Sequence, residues 1–390
     1  MKSLLEVLGF VACGAALATL VSCGGGGGSS SNSSGTSSPS SFTATALVSD
    51  GAVSAPHADP NLKNGWGVAF NPKGFVWVAD NGTNVATLYD GNGTPQSLVV
   101  TIPDGTNGEA APTGIVFNGT QSFTVTQNGK SGVAAFIFAG EGGTITAWAP
   151  AVGPTNAFTM YDDRTGGAVY KGLALAASNG NNFLYATDFH NNKIDVFDTN
   201  FTKVTMPGGF KDPAIPAGFA PFGIQQVGTN LFVTYAQQDA AKHDDVAGTG
   251  LGMVDVFDTA GNLKQHFATG APLNAPWGIA QAPSNFGAFS GAILIGNFGD
   301  GTINAFDASS GRSMGTLNSP NGSAIIEHGL WGIAFGNDLN NQPSNTLFFA
   351  AGPNDEADGV YGRIDLNTTS NSSSGSGTGT SSSGGSSVGM

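Results

Sequence analysis

Cysteine is almost missing from this sequence. Only Cys13 and Cys23 occur among 390 residues, and both lie within the first 23. A domain downstream of them has neither a disulfide nor a thiol, which excludes cysteine-based redox and metal chemistry there. The stability of that domain has to come from packing alone.

Charged residues are also scarce, at 10% of the chain, and basic residues are the rarer kind. Thirteen Lys and Arg stand against 27 Asp and Glu, a formal net charge of −14. This balance disfavours nucleic acids and anionic membrane surfaces, so we expect no nucleic-acid partner. Acidity is common on exported proteins, so it does not by itself predict a cationic ligand.

One apolar run near the start, from Val7 to Val21, is too short for a comfortable membrane span and ends in small residues. We therefore interpret residues 1–22 as a signal peptide. Residues 20–23, Leu-Val-Ser-Cys, resemble the bacterial lipobox, which implies cleavage before Cys23 and acylation of that Cys. Residues 23–41 would then be a flexible Gly/Ser tether to a membrane of the cell envelope, outer membrane or periplasm. Plain secretion is the alternative.

Glycine is abundant, with 60 residues, and six glycines mark an internal repeat. Each follows an aromatic or other large residue, or Thr, and precedes Val, Ile or Leu, as in residues 276–280, Pro-Trp-Gly-Ile-Ala. Successive repeat glycines are 47, 58, 51, 55 and 54 residues apart. The six are Gly67, Gly114, Gly172, Gly223, Gly278 and Gly332. Self-similarity at such a period predicts a repeat architecture of six units.

Each unit continues with short runs rich in β-branched and aromatic residues, separated by turns of Asp, Asn and Gly. Residues 182–187 and 193–198 are two such runs, and a weaker run at 203–206 follows them. Runs of this length and composition predict strands. Four antiparallel strands per unit make one blade of a β-propeller, so the fold class is all-β with six blades.

The propeller is predicted to span residues 42–367, and its last unit lacks a fourth strand. A strand-like run at 42–48 precedes the first unit, so we expect it to close the ring as the outer strand of blade six. Residues 123–130 are an insertion before the second strand of unit two. Residues 368–390 are almost wholly Ser, Gly, Thr and Asn, a composition typical of a disordered tail.

The first unit also resembles a known repeat. Residues 66–70, Trp-Gly-Val-Ala-Phe, followed by 76–82 and Leu88-Tyr89-Asp90, resemble NHL-type repeats. The whole of 42–367 resembles an uncharacterised family of exported bacterial six-bladed propellers. That resemblance implies the fold, and it implies no particular activity. We expect the protein to be a monomer. The regular Arg that many NHL repeats carry after Asn-Asn is missing.

In a propeller, the loops that enter the first strands share one face with the loops between second and third strands. This face, the channel mouth, gathers aromatic residues from the entering loops: Trp66, Phe222, Trp277 and Trp331. The entering loops of blades two and three contribute Thr113 and Lys171. The other loops contribute candidates for binding a small polar ligand, a protein or a metal: Asp80, Glu141, Asp188, His190, Asn297, Asp300 and Asp355. Further polar residues there are Asn81, Gln237, Gln238, Asp239, Asn354 and Glu356.

A ring of this kind suits a polar ligand or a hard cation. For any single residue, the alternative is an ordinary role in a turn or between blades. Residues 242–245, Lys-His-Asp-Asp, are the best local cluster of titratable groups, and we interpret them as a solvated loop. The five histidines are scattered, with no pair at zinc-ligand spacing, although a fold can bring them together. No nucleophile or phosphate-loop motif is complete.

Three classes of function stay open. A binding or scaffold module in the cell envelope fits the tether and the missing motifs. A hydrolase similar to the calcium-dependent six-bladed lactonases is the second class, with Ca²⁺ held by members of the set Glu141, Asn297, Asp188 and Asp355. No order of residues matches that family closely enough to transfer its site. A purely structural envelope protein is the third.

Overall fold

The computed structural model of the protein describes residues 40–106, 108–163 and 165–367. Within these residues the chain forms six small sheets around an axis, one separate two-stranded hairpin, and no α-helix. Two single-turn 3₁₀ helices, Asn81–Thr83 and Gly287–Phe289, lie in loops. The predicted all-β, six-bladed propeller is confirmed.

The described chain begins with two strands that belong to the last blade, β1 (Phe42–Ser49) and β2 (His57–Ala58). Blades one to three follow. Within each blade the strands are numbered from the axis outward, and blade two also contains an inserted hairpin, β8–β9. The strands are β3 (Gly65–Phe70), β4 (Val76–Asp80), β5 (Val85–Tyr89), β6 (Val100–Thr101), β7 (Pro112–Phe117), β8 (Thr124–Gln127), β9 (Lys130–Val133), β10 (Phe136–Gly140), β11 (Thr144–Trp148), β12 (Phe158–Asp162), β13 (Tyr170–Ser178), β14 (Asn181–Asp188), β15 (Lys193–Phe197) and β16 (Lys203–Val204).

Blades four to six complete the ring. Blade four contains an extra short strand, β19, which pairs with the end of β18. The strands are β17 (Phe219–Val227), β18 (Asn230–Gln238), β19 (Asp245–Val246), β20 (Met253–Asp258), β21 (Leu263–Thr269), β22 (Pro276–Gln281), β23 (Ile293–Asn297), β24 (Ile303–Phe306), β25 (Ser313–Thr316), β26 (Leu330–Phe335), β27 (Leu347–Ala351) and β28 (Val360–Leu366).

The six repeat glycines lie where the innermost strands of neighbouring blades touch. A Cβ atom on Gly67 would lie 2.5 Å from the carbonyl oxygen of Thr113 in the next blade, and one on Gly223 would lie 2.1 Å from that of Trp277. The register of the inner strand also shifts beside each of these glycines. Only glycine permits this approach of two backbones, which explains the period of the repeat.

The N-terminal strand closes the ring as predicted. β1 pairs antiparallel with β28 along its whole length, from Phe42 opposite Leu366 to Ser49 opposite Val360. β2 then adds a short parallel strand outside β1. The sheet of blade six therefore combines both ends of the described chain, and the last unit obtains the fourth strand that its own sequence lacks.

The insertion in blade two is the hairpin β8–β9, and the second strand of that blade starts after it, as predicted. Between blades, large side chains interlock: the rings of Trp77 and Phe136 stack with centroids 4.1 Å apart. The outermost strands of blades one and three are only two residues long. These blades thus have four strands, with a minimal outer one.

The central channel is nearly filled. A space of about 40 Å³ lies between the inner strands, ringed by Val68, Ile115, Leu173 and their counterparts. At the end opposite the channel mouth it widens into a funnel of about 540 Å³. That funnel is lined by apolar residues, Gly and the three glutamines Gln225, Gln226 and Gln281, and it contains no charged side chain. It offers no group for acid–base chemistry.

The expected signal peptide, the lipidated Cys23, most of the tether and the tail at 368–390 lie outside the described residues, and these stay predictions. Among the residues that the structure describes, no helix has the length and apolar character to cross a bilayer.

Candidate functional site

The four aromatic residues predicted at the channel mouth meet on the axis. The indole rings of Trp66 and Trp331 stack with centroids 3.5 Å apart, and Trp277 meets both edge-on at 5.8 Å. Phe222 contacts Trp331 at 5.7 Å, and Phe298 stacks on Trp331 at 4.0 Å. No ring of the predicted four is more than 9% exposed. They form an aromatic plug that closes the channel, and they do not present an open contact surface.

Lys171, the second residue of β13, is buried against this plug, with 3% of its side chain exposed. Its ammonium lies 5.1 Å from the ring centre of Trp66, forms an ion pair with Glu141, and lies 3.2 Å from Asp244 Oδ1. Burial by itself lowers the pKa of Lys171, but the two carboxylates outweigh burial and the pKa is raised. Lys171 is therefore a permanently charged ammonium inside the mouth.

A chain of amides connects this ion pair to neighbouring blades. Asn81 Nδ2 donates to Glu141 Oε2 at 2.9 Å, and Asn64 Nδ2 donates to Asn81 Oδ1 at 3.2 Å. Asn64 Nδ2 also donates to Glu356 Oε2 at 2.5 Å, and its Oδ1 accepts from Trp331 Nε1 at 3.0 Å. Blades one, two, three and six thus share one hydrogen-bonded network, and Glu141 and Asn81 were both predicted to face the mouth.

The loop at 242–245 is only in part the solvated loop that we predicted. Lys242 and His243 are exposed, but Asp244 reaches Lys171, and its other contact is His243 Nδ1 at 2.8 Å. The bond from His243 and the charge of Lys171 lower the pKa of Asp244 to about 2. Burial raises the pKa of Asp245 to about 7, against the attraction of Lys171. The contact between Asp244 and Lys171 could not be predicted from local composition, because the two residues are 73 positions apart in the sequence.

We call Lys171, Glu141, His243 and Asp244 the mouth cluster. Three predicted ligands do not belong to it. Asp80 is fully buried at the end of β4, and burial raises the pKa of its carboxyl well above the usual range. Asp188 accepts hydrogen bonds from the backbone N–H groups of Val169 and Asn191. Asn297 accepts from the backbone N–H of Asn274. Asp188 and Asn297 thus form hydrogen bonds within their own blades, whereas both carboxylate oxygens of Asp80 have no hydrogen-bond partner among the described residues.

The remaining predicted candidates, His190, Asp300 and Asp355, lie in turns, and two of them also line a groove. His190 lies in the β14–β15 turn, where its carbonyl is near Gln238 Nε2 at 3.4 Å. Asp300 Oδ1 accepts from the N–H and hydroxyl of Thr302. Asp300 and Asp355 nevertheless both line an open groove between blades five and six.

This groove, the mouth groove, has a volume of about 680 Å³. It brings together Phe298, Asp300, His328, Asp355 and Glu356. Burial raises the pKa of Glu356, although its bond from Asn64 opposes this. Three of the four titratable residues of the groove, Asp300, Asp355 and Glu356, were predicted at the mouth. The fourth, His328, was not, and it lies just before the Gly-Leu-Trp segment that enters β26. The groove is thus a polar, acidic depression beside the aromatic plug.

The mouth cluster does not suit Ca²⁺. That ion takes six to eight oxygen ligands, and here Glu141 and Asp244 already hold the Lys171 ammonium between them. Glu141, His243 and Asp244 come within 4.8 Å of one another, but the Lys171 ammonium already pairs with both carboxylates and offsets one of their two charges. Asn297 and Asp188, the other expected ligands, face their own turns. Ca²⁺ binding stays a prediction, and these residues do not form the expected ligand set.

Two solved structures illustrate what the chain is similar to. A streptogramin B lyase is 15% identical, covering 84% of this chain and 98% of the other, with a TM-score of 0.48. The gluconolactonase XC5397 of Xanthomonas campestris is 13% identical, covering 79% and 87%, with a TM-score of 0.47. At these identities the likeness concerns the fold alone.

No protein-family model matches the chain. Uncharacterized protein R648 of Acanthamoeba polyphaga mimivirus is 33% identical over 325 residues, 82% of this chain and 78% of that protein. Uncharacterized protein L690 of the same virus is 31% identical over 326 residues, 82% and 84% of the two chains. Both relatives are viral, so the bacterial, exported origin implied by the NHL-like resemblance stays a prediction. At this identity and coverage the chain belongs to the same family as mimivirus proteins R648 and L690.

Proposed function

We propose that this protein is a binding module that takes up a small, polar, amine-bearing molecule in the mouth groove. The observation that carries the proposal is the groove itself, which gathers three carboxylates and an imidazole beside a closed channel. Its volume of about 680 Å³ lies in the range of small-molecule sites, roughly 300–1,000 Å³.

The charge of the groove sets the ligand class. Asp300, Asp355 and Glu356 line it, and no Lys or Arg does. Lys171, a buried cation whose charge acts on Glu356, is already bound by Glu141 and Asp244. A ligand ammonium would therefore meet unopposed carboxylates, while Phe298 gives the groove one aromatic wall for an apolar face.

The same geometry favours binding over hydrolysis. The alternative of a Ca²⁺-dependent, lactonase-like hydrolase needs a cation at the channel mouth, and there Lys171 supplies the positive charge. The aromatic plug also keeps substrate out of the channel, since its rings pack at 3.5 to 5.8 Å. No observation in the described residues specifically favours the hydrolase.

The test is calorimetric titration of the purified chain with glucosamine and putrescine, with glucose as the uncharged probe. We expect glucosamine or putrescine to bind and glucose to bind at least tenfold more weakly. Asp355→Asn, an exposed residue of the groove, should weaken amine binding several-fold. Glu109→Gln is the matched control, because Glu109 is exposed and does not line the groove.

Equal affinity for glucose and glucosamine would contradict the electrostatic part of the proposal. Equal loss in Asp355→Asn and Glu109→Gln would assign the effect to net charge and would contradict the site. If neither amine binds, the mouth groove is not a site for this ligand class.

We also propose that the module is displayed in the cell envelope through a lipid on Cys23, with the tether at 23–41 as spacer. The support is the Leu-Val-Ser-Cys segment and the Gly/Ser run behind it. Detergent phase partitioning of the chain made in a bacterial host tests this. The wild type should enter the detergent phase and Cys23→Ser the aqueous phase; aqueous partitioning of both would leave plain secretion.

A further inference from the structure

A second cluster of titratable groups lies away from the mouth, on blade four. Asp255 of β20 and His266 of β21 are direct partners in the register of these two strands. Asp212, from the connection between blades three and four, approaches them. Register shifts flank the pair on both sides, at Val254/Asp255 and Val256/Phe257. Bulges of this kind re-aim side chains, here towards one point.

The three donor atoms have the spacing of a metal site. His266 Nδ1 lies 3.0 Å from Asp212 Oδ2 and 3.4 Å from Asp255 Oδ1. Ligands that each lie about 2.1 Å from a common ion, at right angles or tetrahedral angles, are roughly 3.0 to 3.4 Å apart. The three residues each offer a ligand atom within 4.8 Å of the other two, so a single ion can lie among them.

An unpartnered oxygen is the independent sign of a ligand. Asp255 is 2% exposed, and its Oδ2 has no hydrogen-bond partner among the described residues. Asp212 is held in place by its other oxygen, Oδ1, which accepts from the backbone N–H of Ala214 at 2.8 Å. A buried carboxylate oxygen left without a partner is costly unless a cation or proton satisfies it.

Charge balance leads to the same conclusion. Two buried carboxylates face one imidazole, which is half exposed and can carry at most one positive charge. A divalent ion would neutralise both carboxylates.

We propose that Asp212, Asp255 and His266 form a binding site for a divalent transition-metal ion of the Zn²⁺ or Mn²⁺ type. An imidazole with two carboxylates suits such ions better than Ca²⁺ or Mg²⁺, which prefer oxygen alone. Three protein ligands leave at least one position open. A groove of about 450 Å³, lined by Asp212, Tyr235 and Lys211 among others, adjoins the site and gives that position access to an exogenous ligand.

The proposal is tested on the chelator-treated full chain by calorimetric titration with ZnCl₂, MnCl₂ and CaCl₂, and by the visible spectrum after addition of Co²⁺. We expect Zn²⁺ or Mn²⁺ to bind with one site that His266→Gln weakens at least tenfold. Ca²⁺ should bind at least tenfold more weakly than the tighter of the two. His243→Gln is the matched control, because His243 belongs to the other described group with metal-ligand spacing.

Asp255→Asn separates a metal role from a structural one. If Asp255 is a metal ligand, the Asp255→Asn variant should have a metal-free melting temperature equal to or above that of the wild type. Its melting temperature should no longer rise when Zn²⁺ or Mn²⁺ is added. A lower melting temperature with the metal-induced rise intact would overturn the proposal. So would tight metal binding in His266→Gln, loss of binding in His243→Gln instead, or no binding of these ions by the wild type.

Discussion

Gly332, 266 residues away from Trp66 in the sequence, has no room for a side chain beside the Trp66 backbone where the ring closes. A Cβ atom on Gly332 would lie 2.4 Å from the carbonyl oxygen of Trp66 and 2.8 Å from the backbone nitrogen of Val68. Neither neighbour is a flexible side chain. Blade six therefore meets blade one through backbone, and a methyl group cannot fit without moving a strand.

We expect Gly332→Ala to lower the free energy of unfolding by at least about 2 kcal/mol, because overpacking against backbone forces strands apart. Gly119→Ala is the control, since a Cβ there comes no closer than 3.4 Å to a Phe117 ring atom. Urea unfolding followed by tryptophan fluorescence measures both. Equal midpoints for Gly332→Ala and Gly119→Ala would show that the inner strands can separate freely.

The closing strand supplies a second prediction. Phe42 is fully buried, and its ring lies 4.9 Å from that of Phe286 and 5.9 Å from that of Phe289, in blade five. Phe42→Ala should cost about 3 to 5 kcal/mol of stability, as for other buried Phe residues. Thr43→Ala, exposed on the same strand, should cost less than about 0.5 kcal/mol.

Deletion of residues 42–48 should lower the stability of the protein more than Phe42→Ala does. It removes Phe42 and exposes the backbone edge of β28, which pairs with β1 along seven positions. We expect a lower melting temperature and association in size-exclusion chromatography, since an open edge templates pairing. A truncated chain that melts like the wild type and stays monomeric would contradict closure by β1.

The sequence predicted the fold because the relevant signals are local. Strand runs alternate with Asp, Asn and Gly turns, and the repeat glycines mark the contacts between inner strands. The closing strand was predictable for the same reason, since one unit was a strand short. The added strands β2 and β19 were less accessible, because only a few backbone hydrogen bonds define them.

The site was less predictable because its contacts join residues from different blades. The sequence indicated which face of the propeller these residues occupy, since Glu141, Asn81, Asp355 and the aromatic residues lie at the channel mouth. The contact between Lys171 and Asp244 depends on how far one loop folds inward, and no local pattern encodes that. The pair of Asp255 and His266 depends on strand register between bulges. Asp188 and Asn297 are residue types that often bind metal ions, but here their side chains accept hydrogen bonds from backbone N–H groups of their own blades.

Lys171 provides the third prediction. Lys171→Met leaves the partly buried Glu141 and the exposed Asp244 without their cation. A fully buried charge without a partner costs about 3 to 5 kcal/mol, and we expect a loss below this range. The double variant Lys171→Met/Glu141→Gln should recover part of the loss, because Glu141 is then replaced by a neutral side chain. Thermal unfolding at pH 7 compares the three proteins. No difference between the single and double variants would contradict the ion-pair argument.

The same variants test Ca²⁺. In the wild type the ammonium pairs with both Glu141 and Asp244 and takes the place of a metal ion between them. We therefore expect no change in melting temperature in 5 mM CaCl₂, on the order of Ca²⁺ levels that saturate extracellular modules. In Lys171→Met the vacated space between Glu141, His243 and Asp244 should gain Ca²⁺-dependent stabilisation. A clear rise in the wild type alone would restore the calcium-dependent alternative.

The last prediction concerns pH. Asp245 lies beside Asp244, Lys171 and Glu356, and burial raises its pKa to about 7 in the folded state, against about 3.9 in an unfolded chain. The folded state then binds more protons than the unfolded state between about pH 4 and 7, so Asp245 lowers stability as pH rises through this window. Above pH 7 its contribution is constant and unfavourable, on the order of 2 to 4 kcal/mol.

Asp245→Asn removes this titration while keeping the shape of the side chain. Its melting temperature should match or slightly exceed that of the wild type at pH 4 and exceed it most at pH 8, with the difference growing between these values. Asp198→Asn, an acid in the β15–β16 turn away from the cluster, is the control and should show no such growth. A difference that shrinks from pH 4 to pH 8 would mean that Lys171 stabilises the ionised Asp245 more than burial penalises it.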